Sequence, residues 1–471
     1  MTLRIAIALV TLAACDLGRA QPADPLALRI EAVLAKAPSA QVGVLVAELP
    51  SGRTRFERHP DLPLKPASVL KLLTTAAAIQ HLGPDFSYQT ELYLSGDELW
   101  VRGAGDPGLG DPRLEERGGP ALERLFDDWA QAIAGRGATS ISRIVIDDSI
   151  FDTVHRHPDW PAAQADRWYQ APVGGVNIND NCLDVAWSLR GESVALRLRP
   201  PPPDDFYRNR LRPGAKTSAR VQRPADSDVF EFTGTVSGGG SLQPAAVGDP
   251  TVFFGHVLRH ALQQRGIDAG GPVVRRRLTA EAIAGATLIA IHRTALEDVL
   301  WRCNAFSQNL FAECLIKSLA AYGAGGQRGD TPGSWDVGVR VVVREMERLG
   351  VDPRGASIRD GSGLSHENRL TARQVVAVLA AMARGPDARP FLDSLAQPGQ
   401  PGTMRSQFAD RRLLGRMRGK TGTIQGVKAL AGCIDTADGG MLAFALLVNG
   451  AAPDALPLEL CRLLADAGPP P

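Results

Sequence analysis

Ser68 and Lys71 stand three residues apart, a spacing that puts two side chains on one face of a helix. A serine hydroxyl is a poor nucleophile until a base takes its proton. A lysine can be that base once burial or a nearby cation lowers its pKa, and a helix N-terminus adds positive potential. The pair is therefore a candidate for nucleophilic catalysis, with Ser68 attacking and Lys71 accepting the proton. The plain alternative is a helix cap followed by a solvated lysine. Ser68-Lys71 is the one S-x-x-K in the chain, and Leu70, Leu72 and Leu73 flank the lysine, although a snorkelling side chain tolerates such neighbours. Lys420-Thr421-Gly422-Thr423 is a second cluster. Its ammonium and hydroxyls suit an anion such as a carboxylate, and Gly422 lets a substrate approach the backbone. Alone it reads equally well as a polar turn. Ser307-Gln308-Asn309, beside a helical run, says almost nothing by itself.

Lysine is scarce. Only seven of the 52 cationic residues are Lys, at 36, 65, 71, 216, 317, 420 and 428. The rest are Arg, which cannot readily give up its proton as Lys can. A retained Lys71 and Lys420 therefore deserve inspection.

These residues need elements to carry them. Val42 to Leu49 reads as a strand, followed by a Pro50-Ser51-Gly52 turn and a return toward His59. Pro66 suits the first turn of a helix and Gly83 its stop, with Leu70, Leu73 and Ala77 on an apolar stripe. From 88 to 280 the texture changes to short strand-like runs: Thr90 to Leu94, Leu99 to Arg102, Ile144 to Asp147, Leu183 to Leu189, Val194 to Leu198 and Val229 to Thr235. Gly119 to Gly135 reads as a helix among them. Beyond it, Leu296 to Ala321, Ser334 to Leu349 and Thr371 to Arg384 read as helices. Gly426 to Asp435 and Met441 to Asn449 read as strands, and a last helix runs near Leu456 to Ala467. The two ends share an α/β texture that the middle lacks. The predicted organisation is a discontinuous domain, 25–87 with 281–471, interrupted by a β-rich inserted domain at 88–280.

Composition narrows the function classes. The chain has 471 residues, 44% hydrophobic and 22% charged, with a net charge of +1. That balance supports a sizeable core and gives no electrostatic case for nucleic acid or a polybasic membrane module. Residues 1–20 read as a signal peptide, with Arg4 ahead of an apolar run from Ile5 to Ala14. Leu12-Ala13-Ala14-Cys15 resembles a bacterial lipobox, so two fates are open: cleavage after Ala20, or lipidation at Cys15. Either way the expected compartment is the periplasm, with peripheral or lipid-anchored membrane association. Five cysteines remain beyond the leader, none in C-x-x-C spacing. They read as buried apolar filler, with a Cys433–Cys461 bridge as an alternative in an oxidising compartment.

S-x-x-K, then S-x-N, then K-T-G, in that order, is the signature of β-lactamases and penicillin-binding proteins. Ser68 and Ser307 are 239 residues apart, far more than two neighbouring helices of one domain require. With that gap the chain resembles the low-molecular-mass class C penicillin-binding proteins, the D-alanyl-D-alanine carboxypeptidase/endopeptidase family. Further stretches are similar to it: Leu82-Gly83-Pro84-Asp85-Phe86, Gly103-Ala104-Gly105-Asp106-Pro107, Ala171-Pro172-Val173, Asn177-Ile178-Asn179-Asp180-Asn181-Cys182, and Asp360-Gly361-Ser362-Gly363-Leu364-Ser365. The likeness runs from about residue 30 to 465. Ala104 stands where Gly is commoner, and Gln308 where Asp is frequent.

The resemblance implies a penicillin-binding, serine β-lactamase-like transpeptidase fold of α/β (α+β) class. It implies acyl transfer through a serine ester. Ser68 attacks the carbonyl between two D-alanines, and Lys71, kept neutral by desolvation and the Lys420 charge, takes its proton. Ser307 relays a proton to the leaving amine, and Asn309 holds Lys71 and a substrate amide. Lys420, Thr421, Gly422 and Thr423 form the binding edge for the terminal carboxylate. The backbone N–H groups of Ser68 and Thr423 make the oxyanion hole. Implied partners are peptidoglycan stem peptides ending in D-Ala-D-Ala and β-lactams as inhibitors, with no metal or organic cofactor. A serine β-lactamase or esterase of the same fold is the rival reading, and a non-catalytic cell-wall binding protein a second. A zinc hydrolase is disfavoured: His256 and His260 are four apart without the Glu of H-E-x-x-H, and read as surface histidines.

Overall fold

The computed structural model describes residues 24–224 and 227–469, so the leader and Cys15 lie outside the described residues. One antiparallel sheet underlies the site. Its strand order is Met417–Ile424, Val427–Asp435, Met441–Asn449, Gln41–Glu48, Thr54–Arg58. Side chains alternate across a strand, and here both faces are covered. Val42, Val44, Val46, Phe444 and Leu446 pack toward the terminal helices Pro25–Leu34 and Leu456–Ala465. Leu45, Ala47, Ala443, Ala445 and Leu447 pack toward the central helices. Two buried faces explain why these strands read as unbroken apolar runs rather than alternating ones.

The central helices are Lys71–Leu82, Leu296–Ala305, Asn309–Ala321, Trp335–Arg348 and Ala372–Arg384. Lys71–Leu82 is buried along nearly its whole length and ends at Gly83, whose φ is 89°. The last helix starts on a capping box, Thr371 with Gln374. Two expectations change here. Ala67–Leu70 is a separate 3-10 turn, and the α-helix starts only at Lys71. The run Leu296 to Ala321 is two helices, broken at Phe306-Ser307-Gln308, where Ser307 has φ 61°. A non-glycine residue at positive φ cannot continue a right-handed helix.

The middle segment carries three further sheets. The largest has the order Val273–Arg275, Arg143–Asp147, Glu98–Arg102, Ser87–Ser95, Thr287–Ala295. Glu98–Arg102 pairs in parallel with Arg143–Asp147, and Leu122–Ala134 supplies the helical crossover such a pair requires. The edge strand Thr287–Ala295 lies past the 280/281 boundary read from the sequence and pairs with Ser87–Ser95. Cys182, Cys303, Cys314, Cys433 and Cys461 are all buried and free. Cys433 packs in the core on one face of the five-stranded antiparallel sheet and Cys461 in the core on the other, which rules out the bridge between them. His256 is half-buried and stacks on Phe206, with ring centroids 4.8 Å apart.

Candidate active site

The 3-10 turn Ala67–Leu70 presents Ser68. In such a turn side chains at i and i+3 eclipse, so Ser68 and Lys71 meet more directly than on an α-helix. Lys71 Nζ donates to Ser68 Oγ at 2.9 Å, to Asn309 Oδ1 at 2.7 Å and to the Ser362 carbonyl at 3.0 Å. All three directions of the ammonium are used, and the residue is wholly buried. Lys420 is wholly buried as well, and donates to Ser307 Oγ at 2.9 Å and to its own neighbour's carbonyl, Thr421 O, at 2.8 Å. Ser68, Lys71 and Asn309 thus form one hydrogen-bonded group and Ser307 and Lys420 a second, and three distant stretches bring the two together at one cleft.

Electrostatics follow from burial. Desolvation pushes Lys71 down to about 8, against the opposing pull of Cys303, Glu313 and Asp360. Lys420 is pushed well below the usual lysine range, by burial first and by the Lys71 charge second. The two buried amines disfavour each other's charge, so burial and mutual repulsion act on the pair together. Cys303 lies close enough to feel both amines, and burial pushes its thiol up to about 12.

The edge strand Met417–Ile424 closes one wall. Gly419 exchanges both backbone hydrogen bonds with Ala396, outside the sheet. A two-residue period then turns the Thr423 N–H the same way, toward the cleft. A Cβ on Gly422 would come 2.9 Å from Pro66 O and 3.1 Å from Ser68 N. The glycine thus lets the strand lie against the Ser68 turn, whereas the sequence reading had it admitting the substrate. Thr423 lines the cleft; Thr421 is half-buried and does not.

The cleft is about 490 Å³ and is lined by Ser68, Ser307, Asn309 and Thr423, with Trp168 and Tyr169 from the middle segment. The Tyr169 carbonyl accepts from Asn309 Nδ2 at 2.8 Å. Sequence reasoning missed this contact, and it missed Glu313. That carboxylate is wholly buried and accepts from Ser362 N at 2.8 Å, Gly361 N at 2.9 Å and Trp335 Nε1 at 2.7 Å. Burial and the nearby Asp360 push it up to about 7. Asp360 accepts from Gly363 N at 2.9 Å and Trp160 Nε1 at 3.0 Å. The two acids pin the loop whose Ser362 carbonyl receives Lys71. The D-G-S-G stretch was a signal for that loop; Glu313, inside an apolar helix, had none.

An antiparallel sheet with helices on both faces, split by a large insertion, is the penicillin-binding, serine β-lactamase-like fold. The crystal structure of penicillin binding protein 4 (dacB) from Haemophilus influenzae superimposes with a TM-score of 0.75 at 22% identity, over 92% of this chain and 97% of that one. A predatory peptidoglycan endopeptidase from Bdellovibrio bacteriovorus gives 0.50 at 14% identity, over 87% of each chain. A D-alanyl-D-alanine carboxypeptidase from an Actinomadura species is 29% identical over 436 residues, 87% of this chain and 77% of that protein. The model of the D-Ala-D-Ala carboxypeptidase 3 (S13) family matches residues 26–459, and the chain belongs to that family.

Proposed function

We propose that this chain hydrolyses the terminal D-Ala-D-Ala bond of peptidoglycan stem peptides through an acyl-Ser68 intermediate, and that β-lactams acylate the same serine. The observation that carries this reading is the buried Lys71 amine, 2.9 Å from Ser68 Oγ and 2.7 Å from Asn309 Oδ1. Ser68 Oγ attacks the carbonyl carbon as its proton passes to neutral Lys71. The oxyanion sits against the N–H groups of Ser68 and Thr423; one such donor contributes ~3–4 kcal/mol in comparable sites. Ser307, hydrogen-bonded to Lys420, passes a proton to the leaving D-alanine. Lys420, Thr423 and the Gly422 backbone form the edge that receives the terminal carboxylate, with Thr421 behind it. Water then cleaves the ester. The same steps give endopeptidase activity when the leaving amine belongs to a cross-link.

Among the described residues no helix is long and apolar enough to cross a membrane. Residues 1–20 serve as the export signal to the periplasm, and acylation at Cys15 would add a lipid anchor. Fractionation of cells expressing the full chain and its Cys15→Ala variant separates the two fates.

The decisive assay incubates the protein with a pentapeptide ending in D-Ala-D-Ala and measures free D-Ala beside nitrocefin turnover. Release of D-Ala with slow nitrocefin turnover supports the peptidase. Rapid nitrocefin turnover without D-Ala release supports a β-lactamase instead.

A further inference from the structure

Gln308 has no part in the chemistry above, yet it separates the two residues of its motif that do. Ser307 holds φ at 61°, a conformation that is costly for a residue with a Cβ unless its surroundings enforce it. The restraint comes from the inserted segment. Gln308, 6% exposed, donates from Nε2 to Asp180 Oδ2 at 2.7 Å, and its Oε1 accepts from the Asn309 N–H at 3.0 Å. Its own N–H donates to Arg302 O at 3.2 Å. Arg302 in turn donates to Asp180 Oδ2 at 2.8 Å and from Nε to Asp111 Oδ2 at 2.7 Å. On the other side of the motif, the Tyr169 carbonyl holds Asn309. Asp180 is presented by three successive residues at positive φ, Asn179, Asp180 and Asn181, at 49°, 58° and 51°. A strained turn of the insertion thus grips a strained turn of the catalytic domain.

We propose that Asp180 is a positioning residue for acyl transfer: through Gln308 it keeps Ser307 in the left-handed conformation that aims its hydroxyl at Lys420. The inference rests on the reading of Ser307 as a proton relay. Without the Asp180 carboxyl, the Gln308 amide and the Arg302 guanidinium lose a buried acceptor, and the loop relaxes toward ordinary φ. The same geometry makes positions 180 and 308 a matched pair. A carboxylate at 308 would face Asp180, which already shares one guanidinium with Asp111. Burial and the Asp111 charge raise the proton affinity of Asp180, which favours a neutral group there. Asp180 Oδ1 is buried without a hydrogen-bond partner among the described residues, so an asparagine keeps the acceptor and puts its amide in a slot already unpaired.

The test measures the acylation rate constant with nitrocefin or fluorescent penicillin on the full chain, with thermal unfolding run beside it. The wild type is read first. If it is not acylated at all, the functional reading fails before this inference is reached. Given an acylating wild type, Asp180→Ala slows acylation about tenfold or more, since small misplacements at a reacting centre cost rates of this order. Asp180→Asn restores most of the rate. Gln308→Asp falls as far as Asp180→Ala, and Gln308→Asp combined with Asp180→Asn recovers. Wild-type acylation in Asp180→Ala overturns the proposal, as does an Asp180→Asn as slow as the alanine. Should Asp180→Ala fail to fold, the Gln308→Asp pair decides: failure of Asp180→Asn to rescue it rejects the matched pair.

Discussion

Lys71 and Lys420 are both wholly buried, and each donates to a different serine: Lys71 to Ser68 and Lys420 to Ser307, both at 2.9 Å. Two full charges in one dry site repel, so the pair cannot both stay protonated as free lysines would. The carboxylate of an incoming substrate changes that balance. It favours a charged Lys420, and a charged Lys420 disfavours a second charge on Lys71. Binding the acyl donor would thereby prepare the base that the next step needs.

This predicts a pH dependence with a definite sign. With Lys71 as the proposed base, acylation requires its neutral amine, which burial pushes down to about 8. Below that pH the amine is protonated and cannot accept the serine proton. The second-order acylation rate constant, which reports the protein before the acyl donor binds, therefore rises with pH by about tenfold per unit on the acid side and levels off above roughly 8. Stopped-flow acylation by a β-lactam between pH 5 and 9 measures it. A flat profile across that range would remove Lys71 from the role of base.

Ser68→Ala should abolish labelling by fluorescent penicillin and leave the melting temperature nearly unchanged. The substitution takes one acceptor from Lys71, which keeps Asn309 Oδ1 and the Ser362 carbonyl. Labelling that persists after denaturing electrophoresis would reassign the nucleophile.

Lys420→Arg tests whether Lys420 acts through charge alone. A guanidinium is larger, stays protonated and cannot reproduce a compact buried amine. Lys420 has no exposed surface and sits between Ser307 Oγ and Thr421 O, so the larger head must displace one of them. The expected result is a loss of more than about tenfold in D-Ala release with the fold retained. Near-normal turnover would show that a positive charge suffices.

Much of this architecture is legible because it rests on local chemistry. Met441–Asn449 is apolar on both faces and begins directly after the Asp438-Gly439-Gly440 turn. Ala372–Arg384 announces itself through the Thr371 and Gln374 cap. Thr287–Ala295 stayed hidden because it is an edge strand, half exposed, without clean alternation. The break at Ser307 was hidden for a different reason: apolar periodicity runs through Leu296 to Ala321, and the groups that bond to the kink, Asp180 and the Tyr169 carbonyl, lie far away in the sequence. The three motifs named the polar side chains of the site. They could not name the Ser362 and Tyr169 carbonyls, since every residue has one and only the fold decides which is used.

Gly363 supplies a last test of how the Ser68 turn is held. Its φ is +83°, and a Cβ there would fall 1.9 Å from Ala67 O and 3.2 Å from Ser68 N. Ala67 is itself at φ 45°, so the turn under that contact is already strained. Gly363→Ala must therefore push the Asp360 loop and the Ser68 turn apart. The loop cannot yield freely, because Gly363 N is bonded to Asp360 and the adjacent carbonyl to Lys71. The overpacking costs about 1–3 kcal/mol, visible as a lower melting temperature. Because the displaced atoms carry the proposed oxyanion donor, Ser68 N, and the Ser362 carbonyl that accepts from Lys71, acylation should fall more steeply than stability. Measuring both on the same variant checks this. A destabilised protein that still acylates at the wild-type rate would show that the Asp360–Gly363 loop supports the fold without setting the geometry of the reaction.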